Sequence, residues 1–199
     1  LSAAGAPVPA TFAWCEDAAV TGAPFYVMEY RGGPVIGEDE SFAPVDSASR
    51  RKLSESVVDV LVQLHRVDYL AAGLADFGRP AGYLERQLRR WVEQWARSKT
   101  REVSVFEPLV TAFRASLPVS LLSTVVHGDY RLGNLVLDTA NWTVDAILDW
   151  EMATVGDPLA DLGWLLMSWG QPGDSEEELH LLRMGGTFRP GYMTRPELR

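Results

Sequence analysis

The chain has 199 residues, a formal net charge of -9 and an ordinary apolar fraction of 47%. This length suits one domain or one lobe of a larger enzyme, and the composition is globular rather than disordered. An acidic chain argues against a nucleic-acid partner, because phosphate backbones are bound by clustered Lys and Arg. The sequence shows no apolar run of membrane-spanning length and no signal-peptide pattern, so we expect a cytoplasmic protein without a membrane partner.

Cysteine and lysine are both scarce. Cys15 is alone, which rules out an intrachain disulfide and a cysteine-based zinc site. Only two lysines, Lys52 and Lys99, stand against sixteen arginines, and both lie in helix-like segments.

The N-terminal part predicts a small hairpin. Residues 11–16 and 25–30 are short aromatic and β-branched runs, and a Gly-Ala-Pro turn at 22–24 precedes the second run. Arg-Gly-Gly-Pro at 31–34 then breaks the strand, and residues 34–46 show no clear period, which predicts a loop.

Helical periodicity dominates the middle of the chain. Residues 47–67 carry one apolar stripe and have Ser47 or Ser49 as a candidate cap. Residues 80–98 and 103–116 predict two further helices. The stripe of the first helix consists of Leu53, Val57, Val60, Leu61 and Leu64.

Short apolar strands follow. They are predicted at 123–126, 135–137 and 144–148, with turn residues at 138–141 between the last two. Pro158 can open another helix, because proline is tolerated in a first helical turn. A short helix is also predicted over 175–184.

Two segments carry the chemistry. Residues 127–134 read His-Gly-Asp-Tyr-Arg-Leu-Gly-Asn, and residues 147–151 read Ile-Leu-Asp-Trp-Glu. A short hairpin between them would bring Asp129, Asn134 and Asp149 together. Phosphoryl transfer needs one carboxylate to take a hydroxyl proton and two oxygen ligands for magnesium.

Each residue type suits one part of that chemistry. Asp129 can accept the proton of an acceptor hydroxyl, while Asn134 and Asp149 offer hard oxygen ligands to Mg²⁺. Arg131 can place positive charge on the transferring phosphoryl group. His127 is too close to Asp129 to act as an independent base, and we expect it to brace the loop. An ordinary turn would explain the first segment alone, but the spacing of the whole set favours the functional interpretation.

These segments resemble the aminoglycoside phosphotransferase (APH) family, a branch of the protein-kinase-like fold. The resemblance is carried by HGDYRLGNLVLD and VDAILDWEMATVGDPLADLGWLL. It covers about residues 6–169 and is nearest to the kinase-like domains attached to some acyl-CoA dehydrogenases. It implies an α+β fold, mostly the helical C-terminal lobe at 34–199, with a remnant hairpin and hinge of the N-terminal lobe at 1–33.

The resemblance also implies roles for single residues. Asp129 matches the catalytic base, and Asn134 and Asp149 match the magnesium ligands. Met28, Glu29 and Tyr30 match the hinge that holds adenine through backbone groups. Asp161 matches an aspartate that steadies the catalytic loop backbone. His65 matches a helix-end Leu-His motif near that loop, although a partly buried histidine bonded to backbone is the plainer interpretation.

The chain departs from the broader kinase pattern. Trp150-Glu151 replaces the Phe-Gly that follows the metal aspartate, and an Ala-Pro-Glu segment is absent, which argues against a protein kinase. The sequence has no G-x-G-x-x-G, and neither lysine precedes the hinge. We therefore expect the phosphate-clamping part of the N-terminal lobe to belong to a longer parent chain, and little turnover if the chain is complete as given.

The expected function is ATP-dependent phosphorylation of a hydroxyl group on a small molecule, with Mg²⁺ as cofactor. An aminoglycoside-like compound and another alcohol are both open as acceptors, ATP and GTP are both open as donors, and the oligomeric state is open. Two alternatives remain: a nucleotide-binding pseudo-enzyme or regulatory module, and a protein kinase.

Several residues outside the two motif segments have an ordinary structural interpretation, and some also have a functional one. Asp157 either caps the helix at Pro158 or joins Glu151 in binding a cationic substrate or second metal. We expect Trp91 and Trp95 to pack in the core or between helices. A set of arginines predicts a solvated helix face or, less simply, a contact for an anionic substrate. These arginines are Arg86, Arg89, Arg90 and Arg97.

Overall fold

The elements of this computed structural model mix helices with short strands, which confirms the predicted α+β class. The structure describes residues 1–37, 46–177 and 186–199. The elements in chain order are β1 (Thr11–Cys15), α1 (Ala18–Thr21), β2 (Phe25–Met28), α2 (Ser47–His65), α3 (Tyr83–Ser98), α4 (Phe106–Ser116), β3 (Thr124–Val126), β4 (Leu135–Asp138), β5 (Thr143–Ile147), β6 (Thr154–Gly156) and α5 (Leu159–Met167). Short 3₁₀ turns lie at Ser2–Ala4, Leu132–Asn134 and Trp150–Met152.

The predicted N-terminal hairpin is confirmed. Strands β1 and β2 pair antiparallel, with Trp14 opposite Tyr26. The single turn α1 in the connection was not predicted; the Asp17 side chain caps it by accepting from the Ala19 amide at 2.8 Å. Large apolar side chains on this hairpin are exposed, among them Phe12 and Trp14.

Helix α2 forms as its apolar stripe predicts, because all five stripe residues are buried. The predicted cap was wrong, since the helix is capped by Asp46, one residue earlier. The Asp46 carboxylate accepts from the Ser49 amide at 2.9 Å and from the Ser49 hydroxyl at 2.7 Å. Aspartate satisfies one of the amide groups that the first helical turn leaves without a partner.

Helices α3 and α4 both begin three residues later than predicted. Gly82 has a left-handed backbone (φ 65, ψ 31), which interrupts the helical path before Tyr83. Residues 103–105 form a separate turn ahead of α4, closed by a bond from the Phe106 amide to the Val103 carbonyl. Helix α4 ends as predicted, because the residue that precedes Pro118 is held extended.

The residues between α4 and α5 form two small antiparallel strand pairs. Strand β4 pairs with β5, so the predicted hairpin between the two motif segments is confirmed. Strand β3 pairs with β6, a strand that the sequence analysis did not predict. Helix α2 packs against β3 and β5, and this packing forms the core together with residues of α5 and the C-terminal segment.

The first ten residues are packed against the helical part of the chain. The Ile147 amide donates to the Pro7 carbonyl at 2.8 Å, and the Gln63 side chain donates to the Gly5 carbonyl at 2.6 Å. On the far side of the hairpin, the Leu137 amide donates to the Pro34 carbonyl at 2.9 Å. The hairpin is thus anchored at both of its ends to the β4–β5 pair. The lobe boundary near residue 33 stays a prediction.

Three tryptophans differ in how they are packed. Trp169 is buried and its indole donates to the Met193 carbonyl at 2.7 Å. Trp95 stacks on Phe106 with ring centroids 4.7 Å apart, but Trp91 is 47% exposed, so its predicted packing was wrong. Within the described ranges, no helix combines the length and apolar character needed to span a bilayer. Much of the predicted loop at 34–46 and helix at 175–184 lies outside the described residues.

The Asp46 cap gives a pH-dependent prediction. Hydrogen bonds from the Ser49 amide and hydroxyl lower the pKa of Asp46 below its ordinary 3.8. A lowered folded-state pKa stabilises the fold above the unfolded pKa, and this stabilisation is lost as pH falls through the lowered value. We expect Asp46→Ala to lower the urea midpoint at pH 7 and the difference from wild type to shrink below about pH 4. Asp59→Ala, an exposed position inside α2, is the control and should not lower the midpoint.

Candidate active site

A fully buried carboxylate supports the start of the 127–134 loop. Asp161, in the first turn of α5, is 0% exposed. Its Oδ2 accepts from the His127 amide at 2.9 Å, and its Oδ1 accepts from the Gly128 amide at 2.8 Å. These bonds hold two consecutive backbone groups immediately before Asp129, so α5 sets the position of the loop.

The His127 ring joins the two motif segments. Its Nε2 lies 2.8 Å from the Leu148 carbonyl, and its Nδ1 lies 3.2 Å from the Asp129 amide. An amide and a carbonyl on opposite ring nitrogens define the neutral tautomer, in which Nε2–H donates and Nδ1 accepts. His127 therefore braces the loop and ties it to the residue that precedes Asp149.

Asp129 lies at the centre of a polar cluster and its side chain is 21% exposed. The Arg131 Nε donates to both carboxylate oxygens, at 3.2 Å to Oδ1 and 3.0 Å to Oδ2. The Asn134 Nδ2 donates to Asp129 Oδ2 at 2.8 Å and to the Asp129 carbonyl at 2.9 Å. The structure thus brings together Asp129, Arg131 and Asn134, and it leaves Oδ1 as the less engaged carboxylate oxygen.

Two glycines make this loop possible. Gly128 has φ 87, and a Cβ there would lie 2.8 Å from the Met152 carbonyl oxygen. A Cβ on Gly133 would lie 2.4 Å from the Arg131 Nη1, so a larger residue there would displace the guanidinium from its present position. Neither glycine was assigned a role from the sequence, although both belong to the motif.

Asp149 follows β5 and lies beside Asn134. Leu135 pairs with Ile147, and the Leu148 amide donates to the Asn134 carbonyl at 2.8 Å. Asp149 itself has a left-handed backbone (φ 64, ψ 62), which Asp adopts more readily than most residues. This turn leaves the Asp149 side chain exposed at a cleft instead of continuing the strand.

The cleft has a volume of about 750 Å³ and lies between the N-terminal hairpin and the end of β5. Its lining includes Trp14, Tyr26 and Met28 from the hairpin, and Asp149 and Glu151 from the second motif segment. Met28 is therefore the predicted hinge residue that lines the cleft.

The other two predicted hinge residues point elsewhere. The Glu29 carboxylate accepts from the Ala10 amide at 3.1 Å and pairs with Arg31 at 3.0 Å. Tyr30 is 89% exposed. Arg31 also reaches Asp145 at 3.4 Å, which links the end of the hairpin to β5. The role predicted for the hinge concerns its backbone, so these side-chain contacts leave that prediction open.

The donor set at Asn134 and Asp149 suits a magnesium ion. With its Nδ2 committed to Asp129, Asn134 presents Oδ1, a carbonyl oxygen that no described residue contacts by a hydrogen bond. No described residue forms a hydrogen bond or ion pair with the Asp149 carboxylate either. Hard oxygen ligands of this kind fit Mg²⁺. Within the described ranges no three His, Cys, Asp or Glu side chains group to hold a metal.

Tyr130 anchors the middle of the loop and was not singled out from the sequence. Its hydroxyl donates to the Val57 carbonyl of α2 at 2.8 Å, and its side chain is buried. Burial, and secondly the negative charge of Asp161, raise the pKa of Tyr130 well above its ordinary 10.0. The hydroxyl therefore remains a donor, and a buried aromatic between polar motif residues is the signal that could have revealed it.

Two further residues with predicted roles, Asp157 and His65, have defined hydrogen-bond partners. Asp157 is buried, and its Oδ1 accepts from the Leu159 amide at 2.8 Å, which is the capping arrangement. Ser120 donates to its other oxygen, and Asp157 is not among the described residues that line the cleft with Glu151. His65 lies 3.0 Å from the Asp161 carboxylate. The plainer interpretation of His65 named the wrong partner, because the bond is to a side chain and not to backbone.

The fold is that of kinase-like phosphotransferases. A family model described as the phosphotransferase enzyme family, APH, matches residues 1–198, and the chain belongs to this family.

Curated relatives are much longer proteins. Mouse acyl-CoA dehydrogenase family member 10 is 36% identical over 172 residues, which cover 86% of this chain and 16% of that protein. Human acyl-CoA dehydrogenase family member 11 is 33% identical over 159 residues, covering 79% of this chain and 20% of that protein. The chain thus spans about a fifth of the length of these relatives.

Solved structures share the fold. A candidate aminoglycoside phosphotransferase from Ralstonia eutropha JMP134 is 34% identical, with a TM-score of 0.77, and the match covers 96% of this chain and 63% of that one. An aminoglycoside-3'-phosphotransferase of type VIII is 19% identical, with a TM-score of 0.61 over 95% of this chain and 76% of that one. The second likeness concerns the fold alone.

The loop geometry predicts that Gly128 tolerates no side chain. We expect Gly128→Ala to lower the unfolding free energy by about 1–3 kcal/mol, because alanine disfavours positive φ and its Cβ would meet the Met152 carbonyl. Gly163→Ala in α5 is the matched control, since no atom lies within 4 Å of its Cβ position. It should be neutral or stabilise by up to about 1 kcal/mol. Urea unfolding of the two variants measures both effects, and equal stabilities would contradict the prediction.

Proposed function

We propose that the protein transfers the terminal phosphoryl group of a nucleoside triphosphate, ATP in the first instance, to a hydroxyl group of a small molecule. The observation that carries this proposal is the set of short contacts that joins Asp129 to Asn134 and Asn134 to the residue before Asp149, at the end of the β4–β5 pair. Family membership supports the reaction class.

Asp129 is the proposed base. Its Oδ2 is engaged by Arg131 and Asn134, so Oδ1 is the oxygen that takes the proton of the acceptor hydroxyl. The acceptor oxygen forms a bond to the terminal phosphorus while the bond from that phosphorus to the bridging oxygen breaks. The products are a phosphate monoester and a nucleoside diphosphate. Arrangement of the base in advance of binding lowers the barrier mainly through orientation.

Arg131 is assigned a modified role. Its guanidinium lies against the base, which orients the carboxylate and offsets its charge when the anionic phosphoryl group approaches. The original expectation of direct contact with the transferring group stays a proposal.

Asn134 and Asp149 are the residues that would hold magnesium. When bound there, Mg²⁺ would neutralise charge on the nucleotide phosphates. The protein side of this arrangement rests on two bonds, from Asn134 Nδ2 to Asp129 and from the Leu148 amide to the Asn134 carbonyl. The candidate base and both candidate metal ligands are therefore held by one connected set of contacts.

The nucleotide is proposed to bind at the cleft between Met28 and Asp149. Some structures of the same fold are GDP complexes of aminoglycoside 2'-phosphotransferase-IIIa, which supports nucleotide binding and makes GTP a donor worth testing beside ATP. The acceptor class stays open between aminoglycoside-like compounds and other alcohols. Acceptors should therefore be screened with the protein in its full natural length.

Replacement of the base is the central test. We expect Asp129→Asn to lower kcat by roughly 10²- to 10⁴-fold, because the amide cannot accept the acceptor proton. Nucleotide affinity, measured by calorimetry, should stay within about twofold because Asp129 is not a nucleotide ligand. Asp59→Asn, on an exposed part of α2, should match wild type in both measurements. Unchanged turnover in Asp129→Asn would refute the assignment.

The metal ligands give a separate prediction. Asp149→Asn should raise the Mg²⁺ concentration for half-maximal turnover by about tenfold or more, because the ligand loses its charge. Titration of Mn²⁺ with bound nucleotide, followed by electron paramagnetic resonance, should show the same loss without any turnover. Asp76→Asn, in an exposed loop, is the matched control. A wild-type metal dependence in Asp149→Asn would remove this residue from the site.

A second candidate function has one observation in its favour. Of the described residues that line the cleft, none is lysine or arginine, so their side chains provide no positive charge for the nucleotide phosphates. A nucleotide-binding regulatory module would need no such charge. Nucleotide binding by the full-length protein, without turnover across a broad acceptor panel of sugars, amino alcohols, aminoglycosides and hydroxyacyl thioesters, would favour this candidate.

A further inference from the structure

We propose that a cavity at the junction of α3 and α4 binds a small organic carboxylate with an aromatic or apolar body. The cavity, called here the α3–α4 cavity, has a volume of about 390 Å³, which is within the range of small-molecule sites. None of the described residues lines both this cavity and the cleft at Asp149. The α3–α4 cavity is therefore a separate site, and its occupation does not depend on the proposed phosphoryl transfer.

One wall of the α3–α4 cavity is aromatic. Trp95, near the end of α3, stacks on Phe106, the first residue of α4, with ring centroids 4.7 Å apart and ring planes 24° apart. Both rings line the cavity, and both are only partly buried. The stack joins the two helices, so the wall is already ordered before a ligand binds, which reduces the entropy that binding costs.

The aromatic wall continues into exposed aliphatic surface. Val105 and Leu109 also line the α3–α4 cavity and are 54% and 44% exposed. Exposed apolar surface beside polar groups is typical of sites that bind a ligand or a partner. An apolar body in the cavity would remove these side chains from water, and this burial would be the main source of its affinity.

Two cations among the lining residues differ in their pairing. Lys99 Nζ lies 2.7 Å from Glu102 Oε1, so its charge is offset locally. Arg101 forms no hydrogen bond or ion pair with the described residues. A guanidinium matches the two oxygens of a carboxylate, which favours a ligand with one such group. Because Arg101 is exposed, we expect the ion pair to add selectivity for charge and only modest affinity.

A photoreactive aromatic carboxylate tests both parts of the site. 4-Benzoylbenzoate and its neutral amide, 4-benzoylbenzamide, share an aromatic body and differ in charge. With the protein in its full natural length, we expect the carboxylate to bind with a Kd of about 0.1–1 mM and the amide about threefold more weakly. Irradiation should label residues between 95 and 109 in a saturable manner, as identified by mass spectrometry of peptides.

Three substitutions separate charge from apolar contact. Arg101→Gln should weaken binding of the carboxylate by about threefold and leave the amide unchanged. Arg97→Gln is the matched control, because it removes the same charge from an exposed part of α3 outside the cavity, and it should match wild type. Trp95→Leu should weaken both ligands by up to about tenfold, with urea unfolding used to check that the variant is folded.

Several results would overturn the proposal. They are equal affinities of wild type for the carboxylate and the amide, an equal loss in Arg97→Gln and Arg101→Gln, and saturable labelling that is confined to cleft residues 147–151. The absence of saturable labelling at residues 95–109 would do the same.

Discussion

The site depends on the burial of one carboxylate. Asp161 is removed from water, and its charge is compensated by two consecutive backbone amides and by His65. A buried charge is tolerated only when its hydrogen bonds are complete, so the loop and the end of α2 must both be in place for α5 to pack. The constraint works in both directions: the core requires the loop conformation, and the loop conformation sets the direction of Asp129.

Short contacts connect the loop that Asp161 supports to both motif segments. The Gly128–Met152 approach brings the chain after Asp149 against the loop, and the His127 ring connects Leu148 with Asp129. Because the tautomer of His127 is defined by its two partners, it contributes geometry and no charge. Asn134 Oδ1 and the Asp149 carboxylate, by contrast, form no hydrogen bond with the described residues. The proposed chemistry and the structural support are thus divided among different residues of the same few turns.

Much of this could be predicted from the sequence, because the determining features are local. The stripe of α2 and the turn residues between β4 and β5 have clear periods and spacings, and the structure reproduces them. Strand β6 has three residues and pairs with a strand some thirty residues earlier, so no local period identifies it. The Asp46 cap was missed because neighbouring serines compete for the same role. The partner of His65 was missed because a contact between distant segments leaves no trace in local sequence.

The anchoring of the N-terminal hairpin has a mechanical consequence. Backbone bonds join the chain before β1 to β5 and the chain after β2 to β4, on opposite edges of one strand pair. A body that keeps two fixed points retains a single rotational degree of freedom, about the line that connects them. Movement of the hairpin that preserves both bonds would therefore change the width of the cleft between Met28 and Asp149, while translation along the cleft would require one of the bonds to break.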